Sequence, residues 1–591
     1  MDATKSQPPA DRVHRSVESL GSWKEIAAYL KRDERTVRRW EKEGLPVHRH
    51  MHKKQASVYA FRPELDAWWL RDRTRLEAAE PGTKQTRRRA WSGGLVGLAV
   101  VLVGLFGVNA FGLRDRWMAL DNVPASITLA VLPLKNLSGD SSQDYYADGL
   151  TEALITELGK IARFRVMSFQ SAGRYRQTAK PLPEIARELQ ADVLLEGSVV
   201  RSGERVRITT KLFQAVPERQ LLSESYEFDA RDIVAVQATV ARDVAGRALV
   251  KLTPQEQARL VTTRGVDPEA YEAYLLGRAY FSKDQAIAVK GREYYEKAVA
   301  KDPSFAPAYA GLAELYAIWG WRLAKDPMAS NADARLATRQ WAQKTLTLDS
   351  SRAEGHAALA WVSQQEWDWD TAERAYRRAI EVNPSYATAR TWYTMYLYGM
   401  ERFDEALVQA RYAHQLDPGS PLVNTMAGKA LFYAGRTDEA FAYWQRALEL
   451  DPRYPLCVIA VAGGYVALDK HAQAIAVLDK GLMDNPKDSF LLGVLAHVYG
   501  LVGQRAKALE LIADLTRREA RGEIMAAFTL VYAYAPLDRD RAFARLEKAA
   551  AERRDRVVWV KIDPLLAPLR SDPRFQDLVR RMNFPTKIAS R

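Results

Sequence analysis

Apolar and polar positions divide the chain into parts with different periods. Residues 1–20 are polar and aperiodic, which predicts a disordered tail, whereas residues 21–75 contain helical patterns and one alternating stretch. Residues 91–113 are apolar and carry no charge. Residues 114–262 mix strand-like and helical runs, and helical periodicity alone continues over residues 267–556. The pattern predicts a multidomain chain with a small helical unit, one transmembrane helix, an α/β domain and an all-α solenoid.

The uncharged stretch from Trp91 to Leu113 has 23 residues. At about 1.5 Å of helical rise per residue it would cover the roughly 30 Å hydrocarbon core of a bilayer. A membrane span is therefore favoured over the alternative, a buried core helix. Lysine and arginine stay on the cytoplasmic side of such a span. They are denser before it than after it: Lys84, Arg87, Arg88 and Arg89 against Arg114 and Arg116.

These flanks predict a single pass through a bacterial inner membrane. The N-terminus is expected in the cytoplasm and residues 114–591 in the periplasm, with the lipid bilayer as one partner. Gly93 and Gly97 form one GxxxG pair, which is compatible with a homodimer. Residues 76–90, which contain Pro81-Gly82, are predicted to be a linker.

The helical patterns that follow the polar tail predict a DNA-binding arrangement. Ser22 and Glu25 have the spacing of a capping box, which starts a first helix, and Asp33 can cap a second one. Residues 47–61 alternate as a hairpin, and a third helix is predicted over 63–71. Two helices joined by a short turn form a helix-turn-helix, whose second helix enters the major groove. The polar residues of the second helix that can point outward are Arg35, Thr36, Arg38, Arg39 and Lys42.

The run SWKEIAAYLKRDERTVRRWEKEGLPVHR, from Ser22 to Arg49, resembles the excisionase/MerR-type winged helix-turn-helix domains. The resemblance extends over about Ser22–Leu70. It implies sequence-selective DNA binding by Arg35, Thr36, Arg38 and Arg39, with wing contacts from His48, Arg49, Lys53 or Lys54. Lys42 is predicted to join them, because lysine neutralises phosphates. The alternative is an inert domain whose basic helix is only a solvated face.

Charge supports a polyanionic partner for this part of the chain. Residues 1–90 hold 21 Lys and Arg against 13 Asp and Glu, a surplus of 8 within a total net charge of +13. His48, His50 and His52 would share one face of a strand, and three imidazoles can bind zinc. Basic neighbours surround them and the sequence near them offers no Cys or carboxylate, so phosphate or water contact is favoured. We predict no metal and no cofactor.

In residues 114–262, strand-like and helical stretches follow one another in the order typical of a layered α/β domain. Strands are predicted at 127–133, 164–169, 193–200, 206–213 and 220–228, and helices at 145–161, 182–189 and 233–249. The words AVLPLKNLSGD, YYADGLTEALITEL and ADVLLEGSVVRSGERVRITTKL resemble the TolB amino-terminal/FlgO-like domain. That resemblance implies an envelope-side module. Asn136–Asp140 lacks the lysine and spacing of a phosphate loop, and Asp140, Asp144 and Asp148 are predicted to form turns and caps rather than a metal site.

A period of 34 residues governs the last part. Asp349, Asn383, Asp417, Asp451 and Asn485 follow it, and all but the first precede a proline. Ala372, Ala406, Ala440, Ala474, Ala508 and Ala542 follow it as well. This pattern resembles the tetratricopeptide repeat, with alanine where paired helices approach and proline after the second helix. About 13 extra residues near 319–331 are predicted to be a loop or a lengthened helix.

Such arrays bind proteins or peptides in a concave groove, so a protein partner is predicted. Residues 557–591 are predicted to be a helical cap over the last repeat. Most of Trp361, Trp367, Trp369, Trp392 and Trp444 are expected to be core residues. Cys457 is the single cysteine, and no catalytic motif is present, so we predict that the chain is not an enzyme.

Together these parts resemble, in layout, the ToxR/CadC style of membrane-bound transcription regulators. The predicted function is a single-pass DNA-binding regulator whose outer domains bind a protein or peptide. One alternative is an envelope tetratricopeptide scaffold with a non-functional or anchoring helix-turn-helix. Another is an inverted topology, in which the protein acts wholly on the cytoplasmic side.

Overall fold

The computed structural model describes residues 19–20, 22–30, 34–41, 45–52, 55–62, 64–66, 68, 126–260, 265–281, 285–323, 330–523 and 525–585. They belong to two compact units, Met1–Ala119 and Leu120–Arg591.

The first unit combines two helices with a three-stranded antiparallel sheet. Its elements are β1 (Ser19–Leu20), α1 (Trp23–Tyr29), α2 (Glu34–Glu41), β2 (His48–His52) and β3 (Gln55–Phe61), with strand order β1-β3-β2. Ser22 caps α1 by accepting a 3.3 Å hydrogen bond from the backbone of Glu25. Ile26, Val37 and Trp40 form the core with two residues from the predicted third helix, Leu65 and Trp68.

The sheet of this unit includes two residues of the predicted tail. Ser19 and Leu20 lie at the end of the predicted disordered tail, yet they pair with Phe61 and Ala60 in the sheet. The apolar Leu20 is buried there, which gives that pairing its stability. Residues 1–18 and the linker 76–90 lie outside the described residues. Of the predicted third helix, residues 64–66 and 68 are helical.

The predicted localisation requires correction. No helix in the described part of the chain is long and apolar enough to cross a membrane. The segment 91–113, on which the prediction of a single-pass inner-membrane protein rested, lies outside the described residues. The membrane span, the bilayer as a partner and the periplasmic placement of residues 114–591 are therefore withdrawn.

The second unit begins with a mixed sheet. Its strands are β4 (Ile127–Val131), β5 (Lys135–Asn136), β6 (Phe164–Val166), β7 (Val193–Ser202), β8 (Arg205–Gln214) and β9 (Arg219–Asp229). The order is β6-β4-β7-β8-β9, and β5 also pairs with β7. β4 is parallel to β6 and β7, whereas β7, β8 and β9 are antiparallel neighbours. The helices of this part are α3 (Asp144–Gly159), α4 (Phe169–Ala172), α5 (Leu182–Leu189), α6 (Ile233–Arg247) and α7 (Pro254–Arg259).

The predicted strand at 164–169 is shorter in the structure. It ends at Val166, because the Oγ atom of Ser168 accepts a 3.2 Å hydrogen bond from the backbone of Ser171 and so starts α4. A side chain that caps a helix competes locally with strand extension. The other predicted strands and helices of this part begin and end within two residues of their predicted bounds, whereas β5, α4 and α7 were not predicted.

Paired helices form the rest of the second unit. They are α8 (Pro268–Phe281), α9 (Gln285–Lys301), α10 (Ala306–Leu323), α11 (Ser330–Leu348), α12 (Ala353–Gln365), α13 (Trp369–Val382), α14 (Ala387–Gly399), α15 (Phe403–Leu416), α16 (Pro421–Tyr433), α17 (Thr437–Leu450), α18 (Pro455–Ala467), α19 (His471–Asp484), α20 (Ser489–Leu501), α21 (Arg505–Ala520), α22 (Thr529–Tyr534) and α23 (Arg539–Ala551). The extra residues near 319–331 lengthen α10 and α11 to 18 and 19 residues.

The chain ends in a segment with little regular structure. Two 3-10 turns, Asp555–Trp559 and Pro564–Leu569, precede α24 (Pro573–Arg581). α24 packs on α23, as expected of a cap over the last pair. The first turn instead contacts α12 and α14, and the second contacts α18. The predicted cap is therefore only part of what this segment does, since its apolar side chains bury against much earlier repeats.

Candidate functional site

The predicted DNA-binding residues lie on α2 and β2 as far as the structure describes them. Arg35 and Arg38 are exposed on α2, and Thr36 is half-buried there. Arg39 belongs to α2 and Arg49 to β2, but their side chains lie outside the described part. Lys42, Lys53 and Lys54 are not among the described residues.

Arg38 is held in place by two neighbours. Its guanidinium lies 5.4 Å from the ring centroid of Trp23, and its Nη2 atom is 3.6 Å from a carboxylate oxygen of Glu34. Both contacts are exposed, so they position the side chain more than they stabilise the fold. An arginine held this way remains accessible on the outer face of α2.

His48 makes a contact that differs from the predicted phosphate or water contact. Its Nε2 atom is 2.7 Å from a carboxylate oxygen of Glu64, and its ring stacks on Tyr59 with centroids 5.3 Å apart. Glu64 follows His48 by 16 residues, so inspection of the neighbouring sequence missed the carboxylate. Among the described residues no group of three metal-ligating side chains is present.

Three acidic residues follow β5, and two of them lie at a turn and at the start of a helix. Asp140 accepts a 2.9 Å hydrogen bond from the backbone of Ser142 and caps a short turn. The amide of Asn136 donates to the backbone oxygen of Asp140 and to a carboxylate oxygen of Asp144, and Asp148 forms an ion pair with Arg176. Asp140 and Asp144 thus lie at the turn and the helix start predicted for them, whereas Asp148 lies inside α3 and is held by its ion pair.

The inner side of the repeats is formed by the first helix of each pair. Successive first helices, α12, α14, α16, α18 and α20, pack against their neighbours, and we call their common inner face the inner groove. In α14 every residue from Ala389 to Gly399 is buried. A groove open to water would leave part of each inner helix exposed, so this groove is covered.

Residues 553–585, here called the C-terminal segment, cover the inner groove. Trp559 donates a 2.9 Å hydrogen bond from Nε1 to the backbone oxygen of Met395 on α14. Lys561 is 3.0 Å from a carboxylate oxygen of Glu401. Farther along, the backbone oxygen of Met582 accepts a 3.0 Å bond from the indole of Trp369. Four of the five tryptophans expected in the core of the repeats are buried. Two of them contact this segment: Trp361, whose ring lies 6.4 Å from that of Trp559, and Trp369.

A second set of contacts lies farther along the array, on α16, α20 and α22. Asp563 accepts a hydrogen bond from the hydroxyl of Tyr532, and Arg556 lies 4.4 Å above the ring of Phe490. A cavity of only about 20 Å³ remains between the segment and the groove, lined in part by Lys429. Burial, reinforced by the nearby charge of Arg556, lowers the pKa of Lys429 to about 8.

The α/β part packs along the turns between repeats, and the 34-residue period sets the spacing of those contacts. Asp417 accepts a 2.7 Å hydrogen bond from the hydroxyl of Ser171. One period earlier, the amide of Asn383 donates a 3.3 Å bond to the backbone oxygen of Thr156. Burial raises the pKa of Asp417 to about 6. Residues that mark the repeat in the sequence therefore also hold the two parts together.

Charged groups continue this contact into the first repeats. Arg278 on α8 donates a 2.8 Å hydrogen bond from Nε to Glu152 on α3 and lies 3.7 Å from Glu314 on α10. Burial raises the pKa of Glu314 to about 8. The paired charges of this contact are therefore Arg278 and Glu152, because a raised pKa leaves the Glu314 carboxyl largely protonated near pH 7.

A cavity of about 490 Å³ lies where α3, α7 and the first repeat turns meet. Two buried basic residues line it, Lys160 and Arg352. Lys160 is 2.7 Å from Glu157, and Arg352 is 3.0 Å from Asp349. Because both cations are neutralised within the protein, we assign the cavity no ligand.

Comparisons with known proteins agree with the helical repeats. The family model for the tetratricopeptide repeat matches residues 431–498. Similar solved structures include PilF of Pseudomonas aeruginosa, at 22% identity over 36% of this chain and 92% of PilF, with a TM-score of 0.28. Another is YrrB, a tetratricopeptide-repeat protein described with an unusual peptide-binding site, at 21% identity over 34% and 93% of the two chains, with a TM-score of 0.23. The family match shows that the helical array of this chain contains tetratricopeptide repeats.

A curated relative is also similar to part of the chain. A protein of Rhizobium meliloti (strain 1021) named putative adenylate cyclase 3 is 33% identical over 257 residues, which is 43% of each protein. The chain thus spans less than half the length of that relative in the match.

Proposed function

We propose that this protein is an interaction scaffold whose tetratricopeptide repeats bind another protein. The observation that carries the proposal is the repeat array itself, which the family match supports over residues 431–498. Solenoids of this kind present extended surfaces built from successive similar helix pairs. The α/β part is held against the repeat turns by hydrogen bonds, so it belongs to the same rigid scaffold. We propose no catalytic activity and extend no cyclase activity from the partial relative.

The test is cross-linking of the full chain in cells that express it, followed by mass spectrometry. A specific partner is expected whose cross-links map to residues 353–522. The same partner, purified, should bind the purified full chain with a measurable affinity by calorimetry. The proposal fails if no protein cross-links to the array above the level of a non-specific background.

A second function is favoured by the first unit, namely sequence-selective DNA binding and transcription regulation. Here α1 and α2 pack beside a small antiparallel sheet, and Arg35 and Arg38 are exposed on α2. Helices that present arginine in this way can read guanine in the major groove. DNA selection from random duplexes with the purified full chain would identify a site, and fluorescence anisotropy at several salt concentrations would measure the affinity.

The decisive variant changes Arg35, Arg38 and Arg39 together to alanine. We expect it to lose at least ten-fold in affinity and to show a shallower dependence on salt, because fewer counterions are released. The matched control changes three exposed arginines of the other unit, Arg205, Arg207 and Arg247, which should leave the affinity unchanged. Equal losses in both variants would show only a general effect of charge and would exclude this function.

A further inference from the structure

The inner groove already has an occupant. Ten apolar side chains of the C-terminal segment are buried: Val557, Val558, Trp559, Val560, Leu565, Leu566, Leu569, Phe575, Leu578 and Met582. All of them belong to the same core cluster as the inner helices of the repeats. The segment therefore contacts the groove as a bound peptide would, through side chains rather than through added secondary structure.

Glycine on the inner helices makes room for the segment. A Cβ atom on Gly399, near the end of α14, would lie 2.9 Å from the Cδ1 atom of Trp559. A Cβ atom on Gly463, on α18, would lie 3.4 Å from the ring of Pro564. The absence of a side chain at Gly399 therefore leaves space for the indole, whereas a Cβ atom at Gly463 would stand in ordinary van der Waals contact with the proline.

Polar contacts fix the direction and register of the segment. The indole of Trp559 donates a hydrogen bond to the backbone oxygen of Met395, and the carboxylate of Asp563 accepts one from the hydroxyl of Tyr532. These two anchors are four residues apart, and the buried pair Leu565 and Leu566 follows at once. The groove thus matches a defined chemistry, an indole followed by an Asp-Pro turn and two leucines.

We infer that the C-terminal segment is a peptide ligand built into the chain, which occupies the inner groove of residues 353–501, so that the protein partner proposed above binds the repeats outside this groove. This deepens the proposed function and rests on it in treating the array as a binding module. A tethered ligand is present at an effective concentration on the order of millimolar. A free peptide that competes for the groove must overcome that advantage in addition to the buried surface.

The experiment separates the segment from the groove after folding. A protease recognition sequence is inserted in the full chain after Ala551, the exposed last residue of α23. After cleavage, we expect the segment to remain bound and to co-elute with the rest of the chain on size exclusion at micromolar concentration. A fluorescent peptide of residues 553–585 should bind neither the uncut chain nor, within hours, the cut one.

Two variants of the cleavable chain test the fit of the indole. Trp559→Ala and Gly399→Leu should each release the cut segment at least ten-fold faster than the parent. Gly246→Leu is the control, because Gly246 is exposed and a Cβ atom there would meet no atom within 4 Å, and it should not change the release rate. Trp559→Phe, a milder change, keeps the test valid if Gly399→Leu fails to fold.

Two results would overturn the inference. One is binding of the fluorescent peptide to the uncut chain, which would mean that the groove is open. The other is loss of the segment from the cut parent within the time of the first measurement. Neither result bears on whether the array cross-links a partner in cells, so the proposed function is judged separately.

Discussion

The indole nitrogen of Trp559 donates a 2.9 Å hydrogen bond to the backbone oxygen of Met395, a residue 164 positions earlier in the chain. Trp361 and Tyr398 flank the indole, with ring centroids 6.4 and 6.3 Å away. This single contact joins the end of the chain to the second of the regular repeats. It therefore couples the C-terminal segment to a helix pair that lies far from it in the sequence.

Replacement of Trp559 by alanine should therefore destabilise the whole array. The side chain is 7% exposed, and loss of a buried tryptophan typically costs about 3–5 kcal/mol. Urea denaturation of the full chain, followed by circular dichroism, measures the change. Trp559→Phe keeps an aromatic ring and loses the hydrogen bond, so its cost should be about 1 kcal/mol. A cost below about 1 kcal/mol for the alanine variant would show that the segment is only loosely attached.

Because Asp417 is buried where the repeats meet the α/β part, the stability of that contact should depend on pH. Burial raises its pKa from the ordinary value of 3.8 to about 6, so the folded state favours the protonated carboxyl. The stability that this group contributes is fully present below pH 3.8 and is lost as the pH rises through 6. Across that interval the loss amounts to about 2–3 kcal/mol.

Asp417→Asn should remove this dependence, because an amide is neutral and its oxygen can still accept the bond from Ser171. The variant should match the parent near pH 4 and be more stable by about 1–3 kcal/mol at pH 8. Urea titrations between pH 4 and 8 provide the comparison. Asp451→Asn, one repeat later, serves as the control, since Asp451 bonds the backbone of Arg453 within its own turn. A variant less stable than the parent at pH 8 would contradict the argument.

The sheet leaves no room for a side chain at Gly197. A Cβ atom at this position of β7 would lie 2.2 Å from the backbone oxygen of Thr209 and 2.8 Å from Leu134. Backbone cannot yield as a flexible side chain does, so Gly197→Ala should cost about 1–3 kcal/mol. Thermal unfolding of the full chain measures it. Gly246→Ala is the matched control, since it lies in a helix with open space around it and should stabilise by about 0.5 kcal/mol.

Local periodicity explains which features could be predicted from the sequence. The strand at 205–214 and the helix at 182–189 were predictable because alternation and amphipathic spacing are properties of neighbouring residues. The repeats were predictable because the same spacing recurs. The partner of His48 was not, since Glu64 reaches it only through the fold.

The position of the C-terminal segment could not be predicted either, because its contacts also form only through the fold. One signal was available: the run WVKIDPLL is more apolar than a solvated cap requires, and Trp559, Val560, Leu565 and Leu566 are all buried. The surface that buries it, however, includes residues far away in the sequence, such as Met395, which lies 164 positions before Trp559. Periodicity states which face of a helix is apolar, but it does not state what covers that face.

Ser385 offers the sharpest test of how the α/β part is attached. Its hydroxyl accepts a 3.0 Å hydrogen bond from the backbone nitrogen of Val166 and donates a 3.2 Å bond to the oxygen of Phe164. Both partners belong to β6, which lies at one edge of the sheet and so carries backbone groups that need partners. The hydroxyl of Ser385 thus provides a hydrogen-bond partner for one N–H group and one carbonyl oxygen of that edge.

Ser385→Ala should leave both backbone groups without this partner and should cost about 1–3 kcal/mol. The loss should appear as faster hydrogen exchange at Val166, measured by mass spectrometry on peptides that contain β6. Ser351→Ala is the matched control: it occupies the same position one repeat earlier, and its hydroxyl bonds Asp349 within its own turn. Because that control also removes a turn hydroxyl, equal exchange at β6 in both variants would mean that the edge is held by the sheet alone.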